Sequence, residues 1–193
     1  MTSQLQNAKK EGGWQNNLSK LNKLKSKEAF NTFMQCNTSE KWCKKMVDSR
    51  PFADYKSLIS AADRYWVESK EEDLLQAFEG HPEIGDVSTL REKYRNTAKS
   101  AGHEQSGVNT ASENTLQSLA QSNKDYKEKF GFIFIVCASG KSADEMLALL
   151  LERLPNSREQ ELINASKEQR KIMHLRLDKL LNFSPLPNPP PAG

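Results

Sequence analysis

Long hydrophobic runs are missing from this chain of 193 residues. The longest apolar stretch, Phe132 to Ala138, is less than half of the roughly 18 residues a membrane-crossing helix needs, so no membrane contact is expected. Cysteine is scarce too. The set Cys36, Cys43 and Cys137 is odd in number and contains no C-x-x-C pair, and no histidine stands at zinc-ligand spacing. This argues against a disulfide-stapled fold and a metal centre, and fits reduced thiols in a cytoplasmic protein. No glycine-rich loop of the kind that cradles phosphate is present. Met1 to Asn22 lack the apolar core of a secretory signal, and the terminal Pro-Ala-Gly is not a peroxisomal address.

A basic face is lacking as well. Lys and Arg number 28 against 25 Asp and Glu, for a net charge of +3. Six Lys against two Glu within residues 1–28 supply +4 of that, which leaves the rest of the chain at −1. A nucleic-acid partner needs cations clustered on a folded surface, and the body of this chain has no such cluster.

What is present is a helical pattern between two polar ends. Residues 1–17 are polar, contain Gly12-Gly13 and show no periodicity, so a disordered N-terminal arm is expected there. Residues 184–193, SPLPNPPPAG, hold five prolines and read as an extended tail. The domain is expected over 18–183, and no internal repeat divides it. Its length is enough to bury a real core without disulfides. Gly80 is the only glycine from Ser26 to Gly80, and capping signals recur along the middle. Helices are expected near 18–36, 39–48, 54–66, 70–79, 88–99 and 112–129. Ser142 to Glu145 form a capping box ahead of Met146, Leu147, Leu150, Leu151 and Leu154 at helical spacing, and Ser157 to Gln160 open a longer helix toward Asn182. The exception is Phe130 to Ala138, rich in aromatic and β-branched residues. With no second strand to pair with it, the fold class expected is all-α: a single-domain helical bundle with one buried extended segment near residues 130–138.

Some residues do not fit a bland core. On a wheel of the last helix, Ile172, Met173, Leu175, Leu177, Leu180 and Leu181 form an apolar arc with Arg176 near its middle. An arginine there snorkels to solvent, pairs with a structural carboxylate, or receives a carboxylate or planar urea-like group in its bidentate fork. His81-Pro82 closes a helix carrying Leu74, Leu75 and Phe78. A histidine at that place can be structural, or it can be an acid or base working near neutrality. In His103-Glu104-Gln105, set between small residues, Glu104 can accept a proton and Gln105 can donate and accept, but spacing alone does not assign them.

Taken in order, the motifs resemble the OHCU decarboxylases, which act on 2-oxo-4-hydroxy-4-carboxy-5-ureidoimidazoline (OHCU) in urate degradation. The resemblance runs from about Asn22 to Asn182. It passes through Trp42, Arg50-Pro51-Phe52, His81-Pro82-Glu83-Ile84-Gly85, Glu104-Gln105-Ser106-Gly107-Val108, Tyr126 with Phe130 to Ile135, Arg153-Leu154-Pro155-Asn156, and Lys171 to Leu177. It implies an all-helical homodimer acting on a small molecule without a cofactor and yielding (S)-allantoin. It carries His81 over as the catalytic acid and sets Glu104 beside the substrate, where, given the chemistry of that substrate, it suits the second proton transfer. Pro82, Gln105, the backbone of Phe134, Ile135, Val136, Cys137 and Ala138, and Arg176 are carried over as substrate-binding. Two positions depart from the family pattern: Ile133 stands where proline is common, and Ala101 replaces a serine hydroxyl, with Ser100 beside it. The competing expectation is a non-catalytic scaffold or ligand-binding protein of the same fold, recruiting an acidic partner through its Lys-rich arm.

Overall fold

The computed structural model describes residues 2–83, 86–100 and 112–183. The elements are α1 (Thr2–Lys23), α2 (Ser26–Met34), α3 (Glu40–Asp48), α4 (Tyr55–Val67), α5 (Glu71–Glu79), α6 (Val87–Ser100), α7 (Glu113–Phe130), α8 (Ala143–Arg153) and α9 (Arg158–Leu181). Among the described residues none forms a β-strand. The all-α expectation therefore holds, and from α3 onward the helices lie within a residue or two of their expected limits.

The chain divides into two compact units, one running to Gln76 and resuming at Arg170, the other spanning Ala77–Gln169. Helix α9 contributes a half to each.

In the first unit Phe33, Trp42, Met46, Leu58, Ala62 and Trp66 form a buried core with Met173, Leu177 and Leu181. Phe33 meets Trp42 edge-on at 5.9 Å, and the Trp42 indole donates to the Ala62 carbonyl at 3.0 Å, so the ring is buried without stranding its N–H. One long helix was expected over 18–36. Instead the chain breaks at Leu24, and α2 restarts with the Lys25 N–H donating to Glu28 at 3.2 Å. The break is held from outside: Arg50 donates to the carbonyls of Leu21 and Leu24, and Asn22 clamps Phe52 through both its N–H and its carbonyl.

The expected disordered arm is also redrawn, because the boundary at residue 17 falls inside α1. Trp14 packs edge-on against Tyr55 and Phe183, which stack on each other at 3.7 Å, and Asn17 donates to the Leu181 carbonyl at 3.0 Å. One aromatic and one amide a turn apart anchor the helix without any apolar periodicity. The expected Pro-rich tail, 184–193, lies outside the described residues.

In the second unit the core is aromatic: Phe78, Tyr126, Phe130 and Phe132 are buried and contact one another, with Leu116, Leu119 and Leu150 around them. Helix α7 ends at Gly131, whose φ of 79° is a left-handed cap that a side chain would strain. Beyond it, residues 131–138 are neither helix nor strand, as expected. The segment is less buried than expected, since only Phe132 and Ile135 are fully enclosed. Backbone without a sheet partner still needs hydrogen bonds, and side chains provide them. Arg153 donates to the Ile135 carbonyl at 2.9 Å, the Cys137 N–H donates to Glu168 at 2.7 Å, and Arg158 donates to the Phe130 carbonyl at 3.1 Å.

Arg153 is held in turn by Glu161, which has no exposed surface. That carboxylate also accepts from the Tyr126 hydroxyl and, at 2.7 Å each, from Asn156 and Asn164. Burial opposes its charge, but the Arg153, Tyr126 and asparagine bonds outweigh burial and hold Glu161 below the ordinary carboxylate range. Burial and the same carboxylate push the Tyr126 phenol up. The Arg-Leu-Pro-Asn motif thus has a structural role, because through Arg153 it buttresses the extended segment.

Candidate functional site

The extended segment forms one wall of a cavity of about 360 Å³ in the second unit. Ile133, Phe134, Ile135, Val136 and Ala138 come from that wall, and Leu119, Asn123, Lys124 and Lys127 from the facing side of α7. Leu90 and Tyr94 of α6, Met146 of α8, and the turn His81-Pro82-Glu83 complete it. The size suits a small polar molecule.

His81 sits one residue past Gly80, where α5 has ended. Its N–H donates to the Phe78 carbonyl at 3.1 Å, and Pro82 stops the helix from continuing. The imidazole is half-buried, with Nε2 2.6 Å from Oε1 of Gln169, a residue of α9 with no exposed surface. Beside it Glu83 pairs with Lys127 at 2.6 Å. Lys124 is exposed and makes no ion pair among the described residues. Among the described residues the cavity therefore combines an apolar wall, one imidazole and a cation without an ion pair, an arrangement that favours a small anion and can exchange a proton with it. Burial pushes the Tyr94 phenol up, which keeps it a neutral hydrogen-bonding group.

Of the residues expected at the site, His81, Pro82, Phe134, Ile135, Val136 and Ala138 line this cavity together. Cys137 lies between two of them, with its N–H engaged by Glu168. Glu104 and Gln105 fall outside the described residues, as do Ala101 and His103. Arg176 belongs to the first unit, where NH1 donates to the Cys36 carbonyl at 3.4 Å.

The expectation that Arg176 lies in the middle of the buried face needs correction. The stripe actually buried is Ala165, Gln169, Met173, Leu177 and Leu181, and Arg176 flanks it half-buried. The wheel counted Leu175 as core, but that side chain is 48% exposed. Among the described residues Arg176 meets no carboxylate, and its hydrogen bond goes to the Cys36 carbonyl. Burial pushes the nearby Cys36 thiol up to about 12, against the pull of Arg176, and this leaves the cysteine unreactive.

Gln169, Asn123, Lys124, Tyr94 and Met146 were not expected at the site. Gln169 had a signal available: Glu161, Ala165, Gln169, Met173 and Leu177 recur every fourth residue, and two polar members in a buried stripe stand out.

The family model for OHCU decarboxylase matches residues 22–178, which covers most of both units. The chain belongs to the OHCU decarboxylase family. Among its relatives is the uric acid degradation bifunctional protein TTL of Arabidopsis thaliana, 37% identical over 147 residues that make up 76% of this chain and 45% of that protein. A uric acid degradation bifunctional protein of a Bacillus strain is 24% identical, over 84% of this chain and 32% of its own length. The chain thus spans less than half of either bifunctional relative. The 2-oxo-4-hydroxy-4-carboxy-5-ureidoimidazoline decarboxylase of Haloferax volcanii is 27% identical over 83% of this chain and 93% of its own. A crystal structure of an OHCU decarboxylase in the presence of (S)-allantoin superposes with a TM-score of 0.64 at 36% identity, covering 78% of this chain and 96% of that one.

Proposed function

We propose that this chain decarboxylates OHCU to (S)-allantoin in urate breakdown. The observation that carries the reading is the His81 imidazole on the wall of a small, cation-edged cavity in a member of this family. The substrate is an anion whose carboxylate and hydroxyl share a ring carbon adjacent to a C=N group. When the bond to the carboxylate breaks, CO2 leaves and the electron pair runs through the ring carbons onto the C=N nitrogen, which takes up a proton. The hydroxyl then loses its own proton to become a carbonyl, and the former imine carbon gains a proton on one face. The substrate thus supplies the electron sink that a cofactor otherwise provides, and no cofactor or metal is called for.

The protein has to hold the ring, align the breaking bond with the C=N system and handle two protons. His81 and Glu104 carry out the proton transfers. Arg176 and Gln105 take the ureido and carbonyl groups, Pro82 and the 134–138 backbone hold the ring, and Lys124 adds attraction for an incoming anion. The expected setting is the cytoplasm, with the chain as a homodimer. Among the described residues no helix is long and apolar enough to cross a membrane.

The test is incubation with freshly generated OHCU, following loss of ultraviolet absorbance and the circular dichroism of the product. Unaided decay yields racemic allantoin, so a single enantiomer formed faster than the blank supports the reading. A racemic product at the blank rate would leave a non-catalytic role for the fold.

A further inference from the structure

Beside the cavity, the imidazole has a partner to which neither motif nor resemblance pointed. Gln169 brings Oε1 to 2.6 Å from His81 Nε2, while its amide Nε2 is buried with no hydrogen-bond partner among the described residues. Leaving a buried amide donor unpaired is unfavourable. A leucine between Ala165 and Met173 would continue the same stripe of α9 without that penalty. Packing does not account for a glutamine here; its bond to His81 does.

We infer that Gln169 is a positioning residue for His81, with its carbonyl oxygen accepting the Nε2 proton. The neutral ring is then held in one plane as the Nε2–H tautomer, and Nδ1 is the nitrogen that takes up and returns the working proton. A carboxylate in this place would orient the ring equally well but would also favour the imidazolium. The uncharged amide orients without that bias, which suits a residue that must both gain and lose a proton. The kinetic consequences rest on the decarboxylase reading, whereas the tautomer does not.

Nitrogen-15 NMR of the His81 ring, recorded above its titration, reads the tautomer in the resting protein. The Nε2–H form should dominate in the wild type, and the preference should be lost in Gln169→Leu. In turnover of OHCU, Gln169→Leu should lower kcat on the order of tenfold, part of the ~10²–10⁴ that a positioned acid or base contributes, with KM changed less than about twofold. Gln169→Glu should keep the tautomer and move the pH profile upward by about one unit. Among the described residues the cavity's other titratable groups are Glu83, Tyr94, Lys124 and Lys127, and these, like Glu104, are the same in both variants. A wild-type ring that is mainly Nδ1–H overturns the inference, as does a Gln169→Leu protein with unchanged kcat and pH profile. Should Gln169→Leu fail to fold, the wild-type tautomer and the Gln169→Glu profile still decide. A wild type that shows the Nε2–H form but ignores OHCU supports the positioning role and rejects the substrate.

Discussion

Glu161 and Gln169 lie about two turns apart on the same face of α9, and neither has any exposed surface. Their surroundings differ sharply. Glu161 is saturated, with Arg153, Tyr126, Asn156 and Asn164 all donating to it. Gln169 makes one bond through its oxygen and leaves its nitrogen unpaired. A saturated buried network holds a fold in one arrangement, while an unsaturated buried group needs an explanation outside stability. In this chain the first buttresses the cavity wall and the second touches the imidazole beside it.

The comparison can be broken most severely at its functional end. His81→Asn should lower the rate of OHCU consumption about 10²–10⁴-fold with a melting temperature close to wild type. A variant keeping half the wild-type rate would remove His81 from the chemistry and leave Gln169 unexplained. At the structural end, Glu161→Leu strands the Arg153 guanidinium and the Tyr126 hydroxyl and should destabilise by about 3–5 kcal/mol in urea melts. A loss under about 1 kcal/mol would mean that the network is ornamental.

A control in the first unit is Trp14→Ala, expected to lose about 1–3 kcal/mol as its contacts with Tyr55 and Phe183 disappear, with KM for OHCU unchanged. No change in the melt would restore the view that the packed chain begins after residue 17.

The smallest effect is the pH dependence. Burial opposes the charge of Glu161 and of Asp63, yet Arg153 with the neighbouring donors, and Arg170 with His174, hold both below their ordinary values of 4.5 and 3.8. On unfolding, both return to those values, so the unfolded chain binds protons that the folded chain refuses. This stabilisation is complete above the ordinary values and is lost as pH falls through them toward the folded ones. Urea midpoints should be flat from neutrality to about pH 5 and then decline, less steeply in Glu161→Leu. A decline of equal slope in that variant would place the acid sensitivity elsewhere.

Much of this was legible without coordinates. The capping box at Ser142 is made as its spacing implies, with the Ser142 N–H donating to Glu145 at 2.7 Å and the Glu145 N–H to Ser142 at 3.2 Å. Ser157 likewise receives the Gln160 N–H at the start of α9. These are local interactions, readable within four residues. His81 was legible through its proline and the surrounding motif. Trp14 was not, because one aromatic carries no period and its partners lie about 40 and 170 residues away along the chain.

The amino-acid sequence by itself determined the all-α class, nearly all helix limits, the unpaired segment after Gly131 and the family, because caps, breakers and ordered motifs act over a few residues. Only the tertiary structure decided which face of α9 is buried, that Arg176 flanks that face instead of centring it, and that Gln169 meets His81. Those outcomes depend on which of several apolar residues finds a partner from a distant helix, and a wheel drawn on one helix holds no information about its neighbours.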